Sequence, residues 1–177
     1  MNIIAGKYRR RKLLFPKDRL FRPTKSMVRE AVFSKISSDI DGASFLDLCA
    51  GSGAMGLEAE SRGANRVVCV DKDIRYIKEN VALLSAGIDV IRSDVIRYLK
   101  TVPPGAFDFI YFDPVWADHL VYASGISLIV DNQLLAPFGR LFVEHDRSFI
   151  ISEEYQDFVL ETSKYGESLV SSMVFND

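Results

Sequence analysis

The 177-residue chain has little cysteine, histidine or tryptophan: Cys49 and Cys69, His119 and His145, and Trp116 alone. Two cysteines cannot build a disulfide framework, and these few cysteines and histidines show no metal-ligand spacing, so no metal centre is expected. Long apolar runs are missing too; none approaches the ~18–20 residues of a membrane span. The N-terminal segment has no uninterrupted apolar core of the kind a secretory signal carries. Internal repeats and low-complexity tracts are absent, and 48% hydrophobic with 26% charged residues excludes a disordered chain. These absences leave a soluble protein of a reducing compartment, short enough for one domain. It is further expected to be cytoplasmic, off the membrane and monomeric.

Acid is the other scarcity, and it is local. Residues 1–29 contain ten Lys and Arg against Asp18 alone, a net +9, although the whole chain carries −2. The remaining 148 residues therefore carry −11. A basic arm on an acidic body points to a polyanionic partner, and nucleic acid is the expected one. Arg9, Arg10, Arg11, Lys12 and Arg22 are the candidate phosphate contacts, with Thr24 and Arg29 completing the RNA-binding set. Residues 2–4 and 13–15 are apolar and can pair as a small hairpin around the basic stretch. Thr24 is placed to cap a helix over 25–37, where Val28, Val32, Phe33 and Ile36 recur at helical spacing.

From residue 44 the pattern alternates. Strands are expected at 44–48, 66–70, 88–92, 107–112 and 140–144, and helices at 54–62, 73–85, 95–100 and 120–130. That alternation implies a parallel sheet covered on both faces. The tail, 155–175, alternates apolar and polar residues about Gly166 and suits an antiparallel edge. Residues 1–40 read as a basic hairpin and helix extension packed on the core, and 41–177 as the main domain.

The first strand runs directly into Asp47-Leu48-Cys49-Ala50-Gly51-Ser52-Gly53-Ala54-Met55-Gly56. Glycines where a strand becomes a helix let the backbone approach a ligand, and the helix N-terminus offers free N–H groups. Gly51, Gly53 and Gly56 spell G-x-G-x-x-G, and Asp71 follows at the end of the second strand, placed to accept from ribose hydroxyls. The alternative for Asp71 is a cap on the next helix. The loop, with Ala50 at its start, suits an adenosine-containing ligand, either a dinucleotide or S-adenosylmethionine. Asp47 favours the second, because a carboxylate would repel a pyrophosphate and attract a sulfonium. Asp94, after the third strand, can reach an adenine amine or cap the helix over 95–100.

The fourth strand ends in Asp113-Pro114-Val115-Trp116. Strand C-termini face the ligand crevice of open α/β sheets. Asp113 and the backbone carbonyl of Pro114 are acceptors, and Trp116 is a flat stacking surface. Together they suit the exocyclic amine of a base. His119 and His145 are expected to be structural or peripheral.

On these residues the chain resembles the bacterial 16S ribosomal RNA guanine-N2 methyltransferases, a branch of the class I S-adenosylmethionine-dependent enzymes. The resemblance covers nearly the whole chain. It includes Ile3-Ile4-Ala5-Gly6-Lys7, Arg22-Pro23-Thr24 with Val28-Arg29-Glu30 and Phe33, the stretch from Asp47 to Gly53, Asp71, Asp113-Pro114 and Tyr165-Gly166. One departure is the third motif position, where the family usually has a second proline before Phe or Tyr; here Val115 precedes Trp116. The resemblance implies a Rossmann-like α/β fold with a mostly parallel seven-stranded sheet, helices on both faces and an antiparallel C-terminal hairpin. It implies S-adenosylmethionine as cofactor, with Asp47, Ala50, Gly51, Gly53, Asp71 and Asp94 around it. It implies 16S ribosomal RNA, or a small-subunit assembly intermediate, as substrate, and Asp113, Pro114 and Trp116 as the catalytic group. Rival readings are a non-catalytic RNA-binding protein of the same fold, an amine methyltransferase acting on DNA adenine or protein glutamine, and a nicotinamide-dependent oxidoreductase.

Overall fold

Side chains alternate across a strand, so a strand apolar at every position must be covered on both faces. In the computed structural model, which describes residues 1–16 and 24–175, the central strands obey this. They are β1 (Ser44–Leu48), β2 (Arg66–Asp71), β4 (Phe107–Phe112) and β5 (Leu135–His145); β3 (Asp89–Arg92) flanks β2 as a mostly exposed edge strand, and all five are parallel. Phe45, Cys69, Phe109, Tyr111 and Phe142 face one layer, formed by α1 (Ser26–Lys35), α2 (Ala54–Ser61) and α3 (Arg75–Leu84). Leu46, Leu48, Val70, Ile110, Phe112, Leu141 and Val143 face the other, formed by α4 (Val95–Leu99) and α5 (His119–Asp131).

The chain then passes through a 3₁₀ stretch, Glu153–Phe158, into β6 (Val159–Tyr165) and β7 (Ser168–Val174). β7 pairs antiparallel with both β5 and β6, giving the order β3-β2-β1-β4-β5-β7-β6. The seven strands, helices on both faces and antiparallel hairpin match the expected fold. β5 is longer than 140–144, because Leu135 also pairs with Phe107 before a register shift that resumes at Phe109 and Arg140. The chain moves outward from β1 to β3, then returns to place β4 on the other side of β1. That reversal opens a crevice at the carboxyl ends of β1 and β4.

The basic segment packs onto this body. Asn2 bridges Lys12, Ile3 N–H donates to the Arg11 carbonyl, and Leu13 N–H donates to the Met1 carbonyl. The hairpin is therefore shorter than 2–4 against 13–15, with its pairing shifted toward the turn. Ile3 and Leu13 are buried in the same core cluster as Val28, Val32 and Phe33 of α1. The buried carboxylate of Glu58 in α2 accepts the Ile4 and Ala5 N–H groups at 2.8 and 3.0 Å, and the Arg62 guanidinium at 2.7 Å. Gly6 is required here: a Cβ on it would lie 1.6 Å from the Ser61 carbonyl oxygen.

Candidate active site

The crevice is built from three turns. β1 ends at Leu48, and the loop to α2 is strongly bent. Cys49, Gly51 and Gly53 all have positive φ, at 61°, 57° and 75°. The turn is closed by Gly53 N–H donating to the Ala50 carbonyl at 2.7 Å, and Ala50 N–H ties the loop to Val70 at 3.1 Å. A side chain at Gly53 would be strained by the backbone and would press on Ile77, whose Cγ2 lies 3.1 Å from the Cβ position.

Asp71 stands beside this loop. Its Oδ2 accepts the Gly51 N–H at 2.8 Å and its Oδ1 accepts the Asp73 N–H at 2.8 Å. It does not cap α3, which begins at Arg75 after Ile74 without a side-chain cap. Each carboxylate oxygen has a second lone pair. Asp71 can therefore fix the glycine loop and still accept two hydroxyls. Burial, with the Asp71 and Asp113 charges, pushes the thiol of half-buried Cys49 up, which favours its neutral form.

Asp47 is placed differently from the sequence-based expectation. It is 2% exposed and does not offer its charge to a ligand. Strand alternation turns it under the first turn of α2, where its Oδ2 accepts the Gly56 N–H at 2.9 Å and the Cys69 thiol at 3.8 Å. Burial, opposed by the Gly56 bond and reinforced by Asp71, raises its pKa to about 7. Discrimination between a sulfonium and a pyrophosphate therefore does not rest on Asp47. Asp94 resolves toward its capping alternative. Its Oδ1 accepts the Ile96 and Arg97 N–H groups at 3.0 and 3.1 Å, and its Oδ2 pairs with Lys72 Nζ at 2.9 Å.

The register Phe112↔Val143 carries Asp113 and Glu144 forward to the same end of the sheet, on the face of Asp47 and Tyr111. Asp113 is half-buried, and its N–H reaches back to the Leu48 carbonyl at 3.4 Å. Burial and the neighbouring Glu144 and Asp47 carboxylates push its pKa well above the usual carboxylate range. The Trp116 indole N–H hydrogen-bonds its carboxylate and acts the other way. Trp116 is thus half-buried against the second core cluster and coupled to Asp113, while Val115 beside it is 77% exposed.

Three functional candidates were not anticipated. Glu144 is buried and accepts from the Tyr111 hydroxyl. Tyr122 of α5, fully buried, shares its one hydroxyl hydrogen between the carbonyls of Glu144 at 2.7 Å and Pro114 at 3.2 Å. Asn80 of α3 is buried between the basic arm and the glycine loop. Of these, Glu144 had a signal: a lone acid near the end of an apolar strand, as at Asp113. His145 is buried, bonded to Ser171 Oγ at 2.9 Å, and its pKa is lowered by desolvation; His119 is exposed beside Ser148. Among the described residues no cluster could hold a metal ion, and no helix is long and apolar enough to cross a membrane.

The RNA-binding set divides. Arg9, Arg10, Arg11 and Lys12 are exposed; Arg11 donates to the Leu83 carbonyl, and Arg9, Arg10 and Lys12 make no ion pair among the described residues. Arg22 lies outside the described residues. Arg29 is 1% exposed and faces inward from α1, so it cannot grip a phosphate. Its guanidinium donates to the carbonyls of Thr24 at 3.0 Å and Asn2 at 2.8 Å, with the Glu58 charge nearby. It clamps the arm to the body. Thr24 does not cap α1, whose N-cap is Lys25 without a side-chain bond; its carbonyl serves Arg29 instead.

A family model described as conserved hypothetical protein 95 matches residues 1–174. Ribosomal RNA small subunit methyltransferase D of Escherichia coli (strain K12) is 35% identical over 152 residues, spanning 82% of this chain and 75% of that protein. The solved structure of yhhF from Escherichia coli is 29% identical, covers 99% of this chain and 98% of its own, and superposes with a TM-score of 0.84. An RNA methyltransferase from Salinibacter ruber, solved in complex with S-adenosyl-L-homocysteine, is 13% identical with a TM-score of 0.67 over 88% of this chain and 95% of its own, a likeness of fold alone.

Proposed function

The chain belongs to the conserved hypothetical protein 95 family, and from that premise we propose that it is an S-adenosylmethionine-dependent ribosomal RNA methyltransferase acting on the N2 amine of a guanine in 16S ribosomal RNA. The observation that carries this reading is the meeting of the glycine loop and the Asp113-Pro114-Val115-Trp116 turn at one end of the sheet, where Asp113 N–H reaches the Leu48 carbonyl. The cofactor fits the residues present: the loop's positive-φ positions allow close approach, and Asp71 keeps an open lone pair on each oxygen. When bound, the cofactor supplies an electrophilic methyl group. Gly51, Gly53 and Asp71 would hold it, while Ala50 and Asp94 support the surrounding turns.

A base amine is a poor nucleophile because its lone pair is delocalised into the ring. Asp113 and the Pro114 carbonyl accept its hydrogens and turn the lone pair out of conjugation. The Tyr122 hydroxyl fixes the Pro114 carbonyl at 3.2 Å and leaves a second lone pair for the amine. The Trp116 bond to Asp113 orients both groups, and the indole offers a face on which the extruded base can stack. Most of the acceleration is positioning and fixed dipoles. The exposed Arg9, Arg10, Arg11 and Lys12 grip phosphates of 16S ribosomal RNA, free or in a small-subunit assembly intermediate.

The test is transfer of labelled methyl from S-adenosylmethionine to 16S ribosomal RNA and to small subunits, followed by nucleoside mass analysis. N2-methylguanosine, strongly reduced with Asp113→Ala while cofactor affinity holds, is the expected result. Label in adenosine or in protein would overturn the guanine assignment. Binding of the cofactor without transfer would indicate a non-catalytic RNA-binding protein.

A further inference from the structure

Asn80 lies in the middle of α3, with its side chain fully buried. All of its side-chain hydrogen bonds leave the helix. The side-chain oxygen accepts the Leu14 N–H at 2.7 Å. The side-chain nitrogen donates to the Leu14 carbonyl at 2.8 Å and to the Ser52 carbonyl at 2.9 Å. Both amide hydrogens are therefore engaged, by two different segments of chain. Leu14 belongs to the basic arm, two residues beyond Lys12. Ser52 lies between Gly51 and Gly53 in the glycine loop. The arm is also tied to the last turn of α3, through Arg11 and the Leu83 carbonyl at 2.9 Å.

A buried amide is unfavourable unless its groups are paired, and an apolar residue would fill this helix face as Ile77 and Leu84 do one turn to either side. What an apolar residue could not do is hold two irregular backbone segments in one register. Leu14 and Ser52 have no place in the sheet, and this side chain bonds directly to both of them.

We infer that Asn80 is a positioning residue that couples RNA binding by the basic arm to cofactor binding at the glycine loop. The inference rests on the roles proposed for arm and loop. A ligand that orders Ser52 fixes the Asn80 amide, and with it Leu14 and the neighbouring Lys12. The coupling is reciprocal: RNA on the arm tightens the loop on its ligand by the same factor.

The experiment uses the full chain with S-adenosylhomocysteine as loop ligand and a 16S ribosomal RNA transcript. The wild-type protein is expected to bind RNA about 5- to 10-fold more tightly in saturating S-adenosylhomocysteine than without it, within the usual range of coupling factors. In Asn80→Ala that ratio should fall toward one. A purely structural role would lower stability and leave the ratio intact. A second measurement needs no variant: hydrogen exchange at the Leu14 amide, which donates to Asn80, should slow in the wild-type protein when S-adenosylhomocysteine binds. A wild-type ratio of one, a ratio retained in folded Asn80→Ala, or Leu14 exchange indifferent to the ligand would each overturn the coupling. Failure of the wild-type protein to bind S-adenosylhomocysteine by calorimetry would instead remove the cofactor reading itself, and the coupling with it.

Discussion

Replacing Asp47 by Asn should change how stability depends on pH, in a direction and amount that the structure sets. The Asp47 carboxylate is buried under α2 with one backbone N–H and one thiol for company. Burial raises its pKa from 3.8 to about 7. The folded state therefore holds this proton more tightly than the unfolded state. The stabilisation from the proton is complete below the ordinary carboxylate value and is lost as pH rises from about 4 through about 7. At about 1.4 kcal/mol per pH unit, the full span corresponds to about 4 kcal/mol, of which about 2.5 kcal/mol falls between pH 5 and 8. Asn keeps a carbonyl for the Gly56 N–H and cannot ionise. Urea unfolding of both proteins at pH 5, 6, 7 and 8 should show the variant gaining about 2.5 kcal/mol on the wild type across that range. Asp113, whose own pKa is raised in part by Asp47, moves the difference in the same direction. Parallel stability curves, or a gap of opposite sign, would refute the argument.

Asp71→Ala should weaken S-adenosylhomocysteine binding by about 1–3 kcal/mol, read by calorimetry, since it removes a charged acceptor and frees the Gly51 N–H; unchanged affinity would take Asp71 out of the site. Tyr122→Phe keeps the ring stacked on Phe149, at 4.4 Å between centroids, but releases the Pro114 carbonyl together with the Glu144 carbonyl that shares the same hydroxyl hydrogen. Single-turnover methylation should fall roughly tenfold, the effect of one hydrogen bond of about 1.4 kcal/mol, and adding Val115→Pro should recover part of it; a normal rate would show that the hydroxyl does not fix the loop. Arg9, Arg10 and Lys12 replaced together by Ala should flatten the slope of log RNA affinity against log salt by up to roughly two to three, with the melting temperature unmoved. A fall in melting temperature with an unchanged slope would place these cations against the body instead.

The alternation of strands and helices from residue 44, the antiparallel tail and the glycine loop could be read from the sequence, because each depends on residues within a few positions of one another. Period-2 and period-3.6 apolar patterns identify buried faces, and Gly51-Ser52-Gly53 announces a turn that needs positive φ. The element ends shifted by one to a few residues, as at β5, where a pairing beside Phe107 lengthened the strand. The basic arm was legible as charge, and its exposed cations at Arg9, Arg10 and Lys12 lie where charge alone would put them.

Tertiary structure decided which polar residues have their groups engaged elsewhere. Arg29 looked like another cation of the arm, but the helix that carries it turns it inward to the carbonyls of Thr24 and Asn2. Asp47 looked like a ligand contact, and the Gly56 N–H holds it under α2 instead, while Asp94 takes the capping alternative that the sequence had left open, at the start of α4. Glu58, Asn80 and Tyr122 carried no local signal at all. Their partners lie 54, 66 and 22 residues away in the chain, at Ile4, Leu14 and Glu144. Composition and spacing report what a residue can bond; only the packing of the sheet and helices determines which donor or acceptor reaches it first and whether water is excluded when it does.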